Sequence, residues 1–146
     1  MSITFDVFGI PAPQGSKTRM PNGAMVEGSS TTGRIKLRDW RSAVAVTASG
    51  YADHFGGFSG PVHVAVEFRF PVAKARARKI AATSSGTLPK IGKPDLDKLM
   101  RSTGDALVTG GLIARDELIT EWSASKCEVA EGMWTGARIA VWSVTR

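Results

Sequence analysis

Cysteine is almost absent from this chain, and its scarcity closes off two ways of holding a small protein together. The one residue, Cys127, can form neither an intrachain disulfide nor a cysteine-based zinc cage. Histidine is nearly as scarce. Only His54 and His63 are present, neither in a nucleophile-elbow context, so a Ser-His-Asp hydrolase finds no support. The glycines near Gly9 and Gly15 lack the strand–Gly-x-Gly-x-x-Gly–helix setting of dinucleotide binders. No apolar run approaches the roughly 20 residues that cross a bilayer. The opening residues 1–8 alternate like a strand, without the basic start and apolar core of a signal peptide. These absences lead us to expect a cytoplasmic protein with no membrane partner.

Positive charge is plentiful. The formal net charge is +6 and the pI is near 9.9, a balance that attracts polyanions, of which nucleic-acid phosphate is the commonest. Its distribution says more than its sum. No acidic residue falls between Glu67 and Asp95, whereas Arg69, Lys74, Arg76, Arg78, Lys79, Lys90 and Lys93 all do. Interspersed Ala, Ser, Thr, Gly and Pro predict a flexible loop over about 72–93. Composition alone leaves two readings open: a solvated linker, or a loop that grips phosphates.

Hydrophobic spacing predicts a single domain over residues 1–146. Ile3, Phe5 and Val7 alternate in a strand over 2–9, and a second flexible loop is expected over about 10–34. Leu37, Trp40, Val44, Ala48 and Tyr51 recur at helical spacing. Val62, Val64, Val66, Phe68 and Phe70 alternate in the clearest strand, which Pro71 ends; His63 falls on its other face, as a sheet-face histidine rather than a metal ligand. A second helix is expected from Pro94–Asp95 to Val108, stopped by Gly110–Gly111, and strands over 117–129 and 137–144. The fold class is therefore mixed α/β (α+β) with one mixed sheet and two main helices, in the order β-α-β-α-β-β. Trp40 and Trp142 are expected in the core; Trp122 and Trp134 are left open among core, dimer contact and base stacking.

The informative cluster is acidic. In Lys93-Pro94-Asp95-Leu96-Asp97-Lys98-Leu99-Met100-Arg101, two carboxylates stand at i, i+2 beside a helix start. An extended chain through Pro94 would aim both to one side. Arg101 lies one turn beyond Asp97, and Asp105 one turn further; Asp116 follows after the glycine turn. Hard oxygen ligands in a basic protein suit a divalent cation and phosphodiester hydrolysis. The plain alternative is structural: Asp95 as a helix N-cap, and Asp97 with Arg101 as an i, i+4 surface pair.

The run Lys93-Pro94-Asp95-Leu96-Asp97-x-Leu99-x-Arg101, then Gly104-Asp105-Ala106-Leu107, then Arg115-Asp116-Glu117-Leu118-Ile119 resembles the RusA-type Holliday junction resolvases of phages and prophages. That family shows K-P-D-x-D-N-L-x-K, then D-A-L, then D-D-x-x-I. The early Gly9-x-Pro11-x-Pro13-Gln14-x-x-Lys17-x-Arg19 is similar to its N-terminal pattern, and Phe70-Pro71 to the end of its central strand. The resemblance implies a homodimer that nicks branched DNA, above all four-way junctions, with Mg²⁺ (Mn²⁺ as a substitute). Asp95, Asp97 and Asp116 would hold the metal, with Arg101 at the family's catalytic lysine. The expected DNA-facing cations are Lys17, Arg19, Arg69, Lys74, Arg76, Arg78, Lys79, Lys90, Lys93 and Lys98. The chain departs from the pattern at Lys98 for Asn, Arg101 for Lys and Arg115 for the first paired Asp. Arg101 keeps the charge, but not the titration behaviour, of a lysine.

Overall fold

The computed structural model describes residues 1–15, 21–23 and 31–145, together with the backbone of 17–19 and 25–27. In chain order the elements are β1 (Ser2–Phe8), β2 (Lys17–Arg19), β3 (Met25–Glu27), α1 (Thr31–Phe55) and β4 (Val62–Pro71). After a 3-10 turn at Lys74–Arg76 come α2 (Ala77–Ala81), β5 (Thr87–Pro89) and α3 (Leu96–Thr109). A 3-10 turn at Asp116–Leu118 then leads into β6 (Ile119–Val129) and β7 (Gly136–Ser143). The expected main elements are all present. The segment expected as flexible loop over 72–93 instead carries α2 and β5, while β2 and β3 form a small hairpin inside the expected loop over 10–34.

Five strands form one mixed sheet in the order β1-β7-β4-β6-β5. All neighbours are antiparallel except β4 and β6, which run parallel and are joined by a crossover through α3. Alternation then separates two faces. One carries Ile3, Phe5, Val7, Val64, Val66, Phe68, Ile139 and Val141, all buried beneath α1 and α3. Trp40 of α1 is 2% exposed, and its indole N–H donates to Thr103 Oγ1 of α3 at 3.2 Å, tying the two helices together inside the core.

The other face carries the alternate residues of the same strands. There His63 stacks on Trp142 with ring centroids 4.2 Å apart and bonds Glu121 and Ser123, both at 2.8 Å. Trp142 thus lies on the outer face rather than in the core, because Val141, one residue earlier, is its inward neighbour. At the far end of this face Arg69 lies 4.2 Å over the Trp134 ring.

Candidate active-site cleft

The crossover sets α3 alongside β6, and a cleft of about 280 Å³ runs between them. Asp97, Arg101 and Asp105 rise along one edge of α3 at intervals of one turn, with Asp116 contributed from the turn that precedes β6. By helix geometry Asp97 and Asp105 stand about 12 Å apart, so the charges form a ladder rather than a knot. Met100, Ile119 and Trp122 supply the apolar part of the lining. Gly104, the remaining lining residue, is buried against the edge of Trp122: a Cβ built there would come within 3.2 Å of its Cζ2. Glycine is poor in a helix interior, and here its bare backbone lets β6 approach.

Asp95 is placed differently from the expectation. It occupies the N-cap position of α3 in extended conformation, but Leu96 is already helical. Asp95 and Asp97 accordingly line two adjoining clefts rather than one. Asp95 lines an adjoining cleft with Pro13, Gln14, Lys93, Pro94 and Lys98, where Lys98 Nζ lies 3.8 Å from its carboxylate. Its side chain makes no capping hydrogen bond, which removes the main structural reason offered for an aspartate there.

The expected DNA-facing cations divide. Arg69 is 8% exposed, and its guanidinium serves Glu67 at 3.0 Å and the Trp134 carbonyl at 3.2 Å. Arg76 faces the buried Glu128 at 3.0 Å, as an ion pair rather than an aligned hydrogen bond. Both are turned to internal partners. Lys90 lies 5.1 Å over the Phe70 ring. Lys74, Arg78, Lys79 and Lys93 are exposed, and Lys93 flanks the adjoining cleft with Lys98. The side chains of Lys17 and Arg19 lie outside the described residues. Sequence reasoning missed Lys126. Its ammonium donates to the carbonyls of Gly92 and Pro94, in the latter case at 2.8 Å, and so fixes the chain that enters α3.

Among the described residues, Asp97, Arg101, Asp105 and Asp116 make no ion pair or side-chain hydrogen bond. Arg115 pairs with Glu117 instead, at 2.6 Å. The surface acid Asp6, by contrast, is held below the usual carboxylate range by its hydrogen bond from Arg138. Four charges thus stand without partners along one cleft.

The sequence model of one protein family, Endodeoxyribonuclease RusA, matches residues 12–141. The chain belongs to the RusA endodeoxyribonuclease family. A comparison with curated proteins gave no match. The matched region contains both clefts, so in this RusA-family chain the ladder of charges falls within the shared domain.

Solvent-exposed carboxylate oxygens are the donors that Mg²⁺ accepts. Among the described residues no three acidic, histidine or cysteine side chains are grouped closely enough to hold an ion unaided. Asp97 and Asp116 line one cleft, and their carboxylates are of the donor type that Mg²⁺ takes together with water and substrate phosphate.

Proposed function

We propose that the chain is a Mg²⁺-dependent endonuclease that resolves four-way DNA junctions by phosphodiester hydrolysis, with the scissile phosphate lying in the cleft between α3 and β6. The observation that carries this reading is the set of unpartnered charges, Asp97, Arg101, Asp105 and Asp116, facing one cleft of a RusA-family chain. Asp97 and Asp116 would hold the divalent ion, with Asp95 as the further carboxylate at the same helix end. When bound, the ion polarises the phosphoryl oxygen and makes a water nucleophilic near neutral pH.

The protein's own groups do the rest. Arg101 presents a fixed fork of donors to phosphate oxygens and stabilises the charge that builds on them. An arginine stays charged, so the proton for the leaving 3′ oxygen comes from water rather than from Arg101. Lys93 and Lys98, beside the adjoining cleft, and exposed Arg78 and Lys79 hold neighbouring phosphates.

Two nicks on a nearly two-fold junction call for two identical sites, so we propose a homodimer. The sheet face opposite α1 and α3 offers it a surface: Thr4, Ala65, Ser123, Ser125 and Ala140 line a shallow depression there. Light scattering that finds only monomer at concentrations where junctions are cut would count against this assembly.

The test of the activity is Asp97→Asn, assayed on a synthetic four-way junction, a flap and a plain duplex with and without Mg²⁺. The parent is expected to nick the junction only with Mg²⁺ or Mn²⁺. The variant should cut at least a hundredfold more slowly, by the scale of removing one such electrostatic group, and bind the junction as well or better because a negative charge has gone. Asp95→Asn and Asp116→Asn are expected to behave alike. Cleavage by Asp97→Asn at near the parent rate would remove the proposed site.

A further inference from the structure

The proposed chemistry uses the charged rim of the cleft and leaves its aromatic wall unexplained. Trp122 projects from β6 on the helix-facing side of the sheet, in register with Val64. It remains half-buried, packed edge-on against Gly104 and lining the cleft beside Met100 and Ile119. The other tryptophans are engaged elsewhere. Trp40 is buried and bonded to Thr103, Trp142 is stacked on His63, and Trp134 lies beneath Arg69. Part of the ring packs against the core, and the rest forms an apolar wall of the same cleft that holds Arg101 and Asp116.

Resting on the function proposed above, we infer that Trp122 is a stacking platform for the nucleobase next to the phosphate being cut. A phosphate held by the charged ladder carries its sugar and base with it. Within a continuous duplex that base is stacked and paired, and withdrawing it is costly; at a branch point the cost is least. An aromatic face accepts any base, because every base has a π-surface. The platform therefore selects for a place where a base is free to leave its stack, and not for a particular letter. Gly104 sets its position. With a Cβ only 3.2 Å from the ring, Gly104→Ala would displace Trp122 by a few tenths of an ångström.

The test is a double-mutant cycle on the full chain, with four-way junctions bound in Ca²⁺ to prevent cutting. The parent and Trp122→Leu are each measured with an intact junction and with junctions carrying an abasic residue on either side of the cut phosphate. Stacking of one base predicts roughly tenfold weaker binding for Trp122→Leu on intact DNA. The same loss is expected when the parent meets an abasic residue on one side, with little further loss when both changes are combined. Trp122→Phe should retain most of the affinity, and Gly104→Ala, by displacing the ring, should weaken junction binding in the same direction as Trp122→Leu.

Losses that simply add, or a parent indifferent to abasic residues on both sides, would overturn the inference even if Trp122→Leu folds poorly. Mg²⁺-dependent cutting of the same junction by the parent keeps the two readings apart. Cutting with an additive cycle sinks the platform alone, whereas a parent that neither binds nor cuts junctions removes the platform together with the function it rests on.

Discussion

Replacing Arg76 with alanine separates a structural cation from a DNA-binding one, and the two roles predict different readouts. Glu128 is 3% exposed, and its carboxylate has two partners, Arg76 at 3.0 Å and the backbone N–H of Ala73 at 3.1 Å. Removing one member of a fully buried pair costs about 3–5 kcal/mol, because the other charge is left uncompensated. Here the Arg76 side chain is 30% exposed, the Ala73 hydrogen bond survives, and the ion pair is not an aligned hydrogen bond. We therefore place the destabilisation by Arg76→Ala at about 2 kcal/mol, a fall in Tm of roughly 6–8 °C for a domain of this length. Glu128→Gln in the same background should recover much of it, since the stranded charge is then gone. Arg78→Ala with Lys79→Ala should leave Tm almost unchanged. The same pair should lower the salt dependence of junction binding by about 1.8 in the log–log slope, 0.9 for each phosphate no longer neutralised. Thermal melts and binding titrations across a salt series decide the matter. Arg76→Ala with the parent's Tm and a flattened slope would refute the structural assignment.

Three further outcomes follow from the packing. Gly136→Ala should destabilise by about 3 kcal/mol or more in urea unfolding, because φ is +138° and a Cβ would lie 1.8 Å from the Val7 carbonyl oxygen. Burial pushes the Cys127 thiol up, so iodoacetamide at neutral pH should label it slowly in the folded chain and quickly in urea; equal rates would contradict this. The hydrogen bond from Arg138 holds the folded Asp6 carboxyl below its unfolded value, so its contribution is complete above the usual carboxylate range. It disappears as pH falls through the depressed value, and the Tm difference between parent and Asp6→Asn should close there.

The main elements were legible because their signals are local. Alternation of Val62, Val64, Val66, Phe68 and Phe70 needs only a two-residue period, and the inward stripe of α3 only a helical one. Residue type and spacing singled out the carboxylates and Arg101 as candidates without deciding between a metal site and a helix cap, and the structure brings Asp97, Arg101 and Asp116 to one cleft. What stayed hidden depends on the meeting of distant segments. Arg76 reads as one more cation in an acid-free run, and nothing near it announces Glu128 on another strand. Arg69 is hidden in the same way by Trp134. The placing of Asp95 and Asp97 in adjoining clefts goes with a helix that begins at Leu96, and helix boundaries are the weakest part of a sequence reading. Trp122 belongs to a third kind. Its strand was expected, but its role rests on Gly104 standing opposite, which no spacing within β6 discloses.

The open ladder costs the fold little, which explains how a small domain sustains it. Asp97, Arg101 and Asp105 stand at i, i+4 and i+8, the spacing of helical ion pairs, and both pairs are left unmade. Each such pair is worth about 0.3–0.5 kcal/mol at an exposed site. Leaving both unformed therefore gives up less than about 1 kcal/mol, a small part of the roughly 5–15 kcal/mol by which domains are stable. A buried triad of the same charges would be far more expensive, since each ion would lose its hydration before any ligand arrived. Exposure keeps the groups solvated, and in the proposed function a phosphate and its counterion would replace that water on binding. The apolar share of the lining, with Leu99 and Leu107 fully buried on the inward side of α3, holds the helix in place independently of the ladder. Substitutions on the ladder should thus alter catalysis while the melting curve barely moves, whereas those on the inward stripe should do the reverse.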